Sequence, residues 1–596
     1  MNTPHQFHIP VMGLAYTIDS PIKVARYGIA STISIIEDRL VELMRQHYYK
    51  DRKDSYTPIT PKDIDYRAKR ITDYLNLVNK IVKEQIEELK TSAFEAGSEI
   101  SKYFEMLPTS SSIRQLFQQI IQAGGEAKTL QDFLRTQIVP GAIDVNIMTK
   151  LDKDNYNKQG ELLTDTSDAL AALRGYAKSD LTNSSIIFSA GLNPRLFNYL
   201  EKLSEFNATG LGKFDKRIVI KVSDYRSAII QGKYLAKKGL WVSEFRIESG
   251  LNCGGHAFAS DGFLLGPILE EFKIKSEELT QSLFQLYNPA VLAKGGIIFD
   301  QPHPISVTVQ GGIGTAEEAD FLMKHYGVSS TGWGTPFLLC PEATTVDDVT
   351  LNQLVQAKEK EVILSKNSPL GVRFNYLKGT SAEKEKQRRI DKGSPGSPCT
   401  EKHLVSNTEF TKEPICTASR TYQKFKINQI KELNLPEEEY AARYKDVVSK
   451  ECLCVGLINS ALTKYNLPFI KNMNAINICP GPNIAYFDKV VSLKEMTDHI
   501  YGRGNILSNR ARPHMFIKEL DLNIDYVKEQ AKDWKKTDVK GAKDIIKYIS
   551  NLLEGIEYYR LLAEAIFFDH ADQKDFFLNT LCNREIELQI MRVQLE

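Results

Sequence analysis

The sequence predicts an α/β protein built on a (β/α)8 TIM barrel, with a helical insertion after the first βα unit and a mostly helical C-terminal extension. Three observations carry this expectation. Short apolar, β-rich runs recur between Phe7 and Phe337, each followed by loop residues and then helix-forming sequence, the pattern of parallel strands covered by helices. Two glycine-bearing strand ends follow in succession, Gly311-Gly312-Ile313-Gly314-Thr315 and Thr331-Gly332-Trp333-Gly334-Thr335-Pro336-Phe337. The number of strand-like runs is compatible with closure of eight strands; an open doubly wound sheet is the alternative on periodicity alone.

In chain order, Phe7 to Met12 reads as a strand ending at Gly13-Leu14-Ala15. Asp19-Ser20-Pro21 then starts a helix, with proline in its first turn. Ala30 to Ile36 reads as a second strand. From about 37 to 136 the pattern becomes charged and helical, and Ile71, Tyr74, Leu75, Val78, Ile81, Val82 and Leu89 share one face, as packed helices require. Strand signals return at Ala142 to Met148, Ser185 to Ser189, Arg217 to Val222, Leu240 to Ile247 and Ile305 to Val309. The first domain is thus expected over 1–375. Residues 376–400, charged and then rich in Gly, Ser and Pro, read as a linker. A cysteine-containing extension over 401–520 and a helical region over 521–596 complete the chain; in the latter, Ile545, Ile549, Leu552, Leu553, Ile556 and Tyr559 share a face.

The paired glycine loops suit a phosphate. Glycine admits close backbone approach, and free N–H groups there point at an oxyanion. Such a site commonly holds a cofactor phosphate, which turns the reading toward an enzyme. Composition excludes other classes. With 596 residues and a net charge of +1, the chain has room for more than one core and no long block of one sign, so neither nucleic acid nor an anionic membrane is the expected partner. The opening MNTPHQFHIPVMG lacks the features of a secretory signal, and no run is long and apolar enough to span a bilayer; a cytoplasmic protein is expected. Its eight cysteines then read as reduced thiols or metal ligands.

Read together, several strand ends resemble one superfamily. Met12-Gly13-Leu14-Ala15, Val145-Asn146-Ile147-Met148, Ser189-Ala190-Gly191-Leu192-Asn193-Pro194 and Glu248-Ser249-Gly250-Leu251-Asn252-Cys253-Gly254-Gly255-His256 are similar to successive loops of the nitronate monooxygenases (2-nitropropane dioxygenases) and the FMN-dependent enoyl-acyl-carrier-protein reductases. The two phosphate loops and Ser368-Pro369-Leu370-Gly371-Val372-Arg373-Phe374-Asn375 complete the set, over about 1–375. The resemblance implies FMN at the C-terminal mouth of the barrel. Its phosphate would rest on Gly311, Gly312, Gly334 and Thr335, its ring beside Gly13, Leu14 and Ala15, its polar edge on Asn146. Lys221 would face the ribityl chain or the ring's anionic edge, or else is a plain surface lysine. Gly254 and Gly255 would bring His256 to the flavin face as the catalytic acid, base or anion contact; a histidine that only shapes the loop is the competing reading. Relatives usually carry Glu or Asp and then Ala or Ser before Gly-Gly-His, where this chain has Asn252-Cys253.

The resemblance implies an FMN-dependent oxidoreductase of the nitronate monooxygenase type, oxidising a small anionic substrate with O2. The alternative is an enoyl-thioester reductase of fatty-acid or polyketide synthesis, with NAD(P)H as co-substrate and an acyl carrier protein as partner. From a different class, a non-catalytic flavin-binding or scaffold barrel also satisfies the pattern. Among the later cysteines, Cys399, Cys416, Cys452, Cys454 and Cys479, the pair Cys452-Leu453-Cys454 could share a metal, and Cys479-Pro480 matches the ending of some iron–sulfur motifs. The spacing fits no standard CxxC pair, so ordinary buried thiols and no metal are expected. Trp333 is expected to fill the barrel rim, and His403 stands isolated in sequence.

Overall fold

The alternating apolar runs become eight parallel strands in a computed structural model of the protein, which describes residues 3–122, 128–148, 152–156, 159, 161–189, 191–254, 261–534, 538–566 and 571–596. They are β1 (Phe7–Ile9), β2 (Ala30–Ser34), β3 (Ile143–Ile147), β4 (Ser184–Phe188), β5 (Lys216–Val222), β6 (Val242–Glu248), β7 (Ser306–Gln310) and β8 (Ser330–Gly332). Sequence neighbours are spatial neighbours, and β1 closes against β8 with Phe7 opposite Thr331 and His8 opposite Gly332. Closure rules out the open sheet.

Strand periodicity divides the side chains. Ile33, Val145, Ile186, Ile220, Phe245 and Val309 are almost fully buried on one parity, packed with the apolar core. Each such side chain contributes about 1.5–3 kcal/mol by leaving water. The other parity lines the barrel and is polar except at Ile187 and Val219. Arg246 Nε donates to Glu244 at 2.7 Å, and Thr308 Oγ1 donates to the same carboxylate at 2.5 Å. These groups, with His8, Asp144 and Arg217, line a cavity of about 470 Å³ among the strand starts. Active sites of such barrels sit at the opposite end.

Five helices, Asp38–Asp51, Tyr66–Thr91, Glu99–Met106, Ser112–Gln122 and Lys128–Thr136, fill the connection from β2 to β3. The apolar stripe is their core: Ile71, Tyr74, Leu75 and Val78 are buried. Arg67 locks the insertion to the barrel by pairing with Asp38 and with Asp168, both at 2.8 Å. Gly175 permits close helix contact, since a Cβ there would lie 2.8 Å from Ala68 O.

Residues 376–400 are not a bare linker. β9 (Val362–Ser365) and β10 (Phe374–Leu377) form an antiparallel pair, and Ser381–Asp391 is a helix. The Thr380 side chain accepts from the N–H of Glu383, a capping signal that the charge density of this stretch obscures. Beyond it the extension is largely helical and joins the same apolar core as the barrel, through residues such as Leu404, Ile458, Phe516 and Ile549. Among the described residues, no helix is long and apolar enough to cross a membrane.

Candidate functional site at the C-terminal mouth of the barrel

Loops after β1, β6, β7 and β8 converge at the C-terminal mouth. After β1, Gly13 adopts φ +54°, and after β6 Gly254 adopts φ +77°; a Cβ on Gly254 would lie 2.9 Å from Gly13 N. The two loops touch through glycine backbone that no side chain could replace. Leu14 and Ala15 are buried behind them. Gly311 and Gly312 are left-handed too, and their missing side chains admit Asn252 and Leu251: built Cβ atoms would lie 2.9 Å from Asn252 N and 2.6 Å from Leu251 Cδ1. Gly334 seats against Cys253, 3.0 Å from its built Cβ. The predicted loops are therefore gathered in one place, with the Asn252-Cys253 segment wedged between them.

Polar groups rise from the strand ends beneath. Glu248 Oε1, at the end of β6, accepts from Lys221 Nζ at 3.0 Å, Asn252 Nδ2 at 2.8 Å and Gln310 Nε2 at 2.6 Å. Lys221 is thus a buried, paired cation rather than a surface lysine, and Glu248 is a hub that reaches three elements. Asn146, on β3, is 4% exposed and its Oδ1 has no hydrogen-bond partner. A buried amide oxygen left unpaired costs about 1–3 kcal/mol, so it marks a place for a donor. Asn375 Nδ2 donates to Gly250 O and Asn252 O at 3.2 and 2.9 Å, which fixes the β6 loop from β10.

The C-terminal extension supplies the outer wall, which sequence reasoning missed. Asn483 Nδ2 donates to Gly312 O at 2.6 Å and Ile313 O at 3.0 Å; Arg512 donates to Gly312 O at 2.7 Å; His499 Nε2 donates to Gly314 O at 2.9 Å. The carbonyls of residues 312–314 are tied in this way, while Gly314 N–H goes to Glu318 at 2.9 Å. Gly481 N–H donates to Thr335 Oγ1 at 3.0 Å, and Gly254 N–H to Cys479 O at 3.0 Å. A Cβ on Gly481 would lie 2.5 Å from Leu251 O, so only glycine passes there. The sole sequence signal was the Cys-Pro-Gly-Pro turn; the partners lie more than 140 residues away.

Two buried carboxylates brace this wall. Burial raises Glu318, but the Arg512 guanidinium, 2.7 Å away, pulls it down further and holds it below the usual range. Glu519 has no such cation. Burial pushes it up to about 7, against hydrogen bonds from Leu265 N–H, Ser249 Oγ and Tyr559 OH. Burial also pushes the Cys253 thiol up, and its Sγ lies 3.6 Å from Cys479 O, which removes it as a nucleophile. Trp333 fills the rim, its Nε1 donating to Thr331 Oγ1 at 3.1 Å and its ring edge-on to His499. His403 is not isolated in space: it sits between Glu37 and Asp168, 3.8 and 4.0 Å away. Gly255 and His256 lie outside the described residues.

No protein-family model matches the chain, and no curated protein matches it. Among solved structures, the enoyl reductase domain of MlnA from the macrolactin biosynthesis cluster of Bacillus amyloliquefaciens is similar at 14% identity, covering 76% of this chain and 89% of that one, with a TM-score of 0.32. A nitroalkane oxidase from Streptomyces ansochromogenes is similar at 10% identity, covering 62% and 76%, with a TM-score of 0.28. Likeness at this level carries no argument about activity, which rests on the residues of the mouth.

Proposed function

We propose that the protein is an FMN-dependent oxidoreductase of the nitronate monooxygenase type, acting at the C-terminal mouth on a small anionic substrate with O2 as acceptor. The observation that carries the reading is the unpartnered, buried Asn146 Oδ1, placed below a ring of glycine loops and accompanied by the buried Lys221–Glu248 pair. These residues fit a flavin. Asn146 Oδ1 would accept an N–H of the ring's polar edge. With the carbonyls of Gly312 and Ile313 tied back, an anionic phosphate would meet the amide edge of that loop. Bound there, FMN would supply the electron-accepting group; the Lys221 ammonium would favour negative charge on it. His256 follows directly on this loop and is the candidate acid, base or anion contact.

The wall formed by residues 477–483 favours a small substrate over a carrier-borne acyl chain, because it covers the buried Leu251 and Cys253. The test is the colour and chemistry of the purified protein. Bound FMN, bleached anaerobically by nitronates and not by NADH or NADPH, supports the proposal. Bleaching by NAD(P)H turns the reading to an enoyl-thioester reductase. Protein that neither carries nor takes up FMN turns it to a scaffold barrel.

A further inference from the structure

Four of the thiols that sequence spacing leaves unconnected meet in the extension. Three separate segments carry them. The first, at Ser397–Cys399, lies beside the second: Ser397 N–H donates to Ala418 O and Arg420 N–H donates to Ser397 O, each at 2.9 Å. Cys416 sits just before this contact, its carbonyl accepting from Ser419 N–H at 2.9 Å at the start of the helix Arg420–Glu432. That helix reaches the third segment through Gln423, which donates to Lys450 O at 3.4 Å, and the third segment bears Cys452 at the N-cap and Cys454 within the short helix Leu453–Gly456. Ser397, Ala418 and Cys452 line one small cavity.

The sulfurs are arranged two and two. The Cys399 thiol interacts with that of Cys416, and Cys452 with Cys454, while each pair lies within electrostatic range of the other. No three of these sulfurs lie mutually within 4.8 Å; among the described residues that closeness is met by Glu37, Glu401 and His403. A single zinc asks for something else: four sulfurs about 2.3 Å from one ion, hence all within about 4 Å of each other. Two close pairs, with no three sulfurs mutually within 4.8 Å, are what two irons ask for, each taking two thiolates.

We propose that Cys399, Cys416, Cys452 and Cys454 are the ligands of a two-iron, two-sulfide cluster. Further features suit it. Cys416 and Cys454 are 4% and 7% exposed and all four thiols border the apolar core, so water is kept away. Thr400 Oγ1, next to Cys399, is buried without a hydrogen-bond partner and is free to donate to a sulfur. Lys386, Arg389 and Lys450 line the adjoining cavity with Glu385 and Glu451, which pair with Arg389 and Lys386, so the lining carries one net positive charge toward a four-thiolate centre. The short helix leads on to Leu457, whose Cδ2 lies 3.7 Å from a Cβ built on Gly13, so the centre stands beside the barrel mouth. The proposal does not depend on flavin binding there.

The full chain, purified without oxygen or reconstituted with ferrous iron and sulfide, tests this. Expected are about two irons and two acid-labile sulfides per chain, with a low-temperature EPR signal on one-electron reduction. Cys416→Ser and Cys454→Ser should lose most of the iron, whereas Cys582→Ser, on the exposed last helix, should keep it. One zinc per chain, about four irons, no metal after reconstitution, or full iron retention in both ligand variants would each overturn the proposal. Should a ligand variant fail to fold, the metal and sulfide content of the unaltered chain decides.

Discussion

Glu519 couples protonation to the integrity of the mouth. Its carboxyl is fully buried, receives Ser249 Oγ at 3.0 Å and Leu265 N–H at 2.8 Å, and has its pKa pushed up to about 7 from 4.5, first by burial. A shift of that size corresponds to on the order of 3 kcal/mol between protonation states. Because the folded value lies above the unfolded one, the protonated carboxyl's contribution is fully present below about pH 4.5. It declines as pH rises and is gone above about 7, when the folded state must carry a buried charge. The assay is urea unfolding at pH 5, 6, 7 and 8 of the native chain and of Glu519→Gln, whose amide keeps a donor and cannot ionise. The stability difference between them should move by about 3 kcal/mol in favour of Glu519→Gln between pH 5 and 8. Infrared spectra should show a protonated carboxyl band that titrates near neutrality and is absent from the variant. Parallel stability profiles, with no such band, would refute the reasoning that burial outweighs the three hydrogen bonds.

Other outcomes follow from the same wall. Arg512→Met strands the buried Glu318 carboxylate and should cost about 3–5 kcal/mol by chemical denaturation, with much of the loss recovered in the double variant Arg512→Met/Glu318→Met. Gly312→Ala meets both a φ of +85° and Leu251 Cδ1 at 2.6 Å, so backbone strain alone should cost about 1–2 kcal/mol, measurable as a lower unfolding midpoint. Asn146→Leu removes the unpaired amide oxygen and should leave stability unchanged or raised while lowering FMN content, measured by absorbance after release from the protein; undiminished FMN would show that Asn146 does not hold it.

Local pattern was enough for the parallel strands, while their closure into a barrel rests on the pairing of β1 with β8. Seven of the eight strands were legible because a buried strand writes itself as a short β-rich run bounded by turn residues, as in Arg217 to Val222 and Ile305 to Val309, whereas β8 is Ser-Thr-Gly and was signalled only by the glycine cluster that ends it. The glycines at 13, 254, 311 and 312 were legible because left-handed backbone and close approach leave few alternatives to that residue. The helix at Ser381–Asp391 was missed although Thr380 and Glu383 announce it, since charge and the following Gly-Ser-Pro run dominate the composition.

Tertiary structure alone decided what surrounds those loops. Nothing near Asn483, His499 or Arg512 in sequence says that they hold the carbonyls of residues 312–314, and nothing in the spacing of Cys399, Cys416, Cys452 and Cys454 says that they meet. Periodicity and turn chemistry record which way a residue faces within its own element. Contacts between segments more than a hundred residues apart, like the burial that lifts Glu519, exist only once the whole chain has packed.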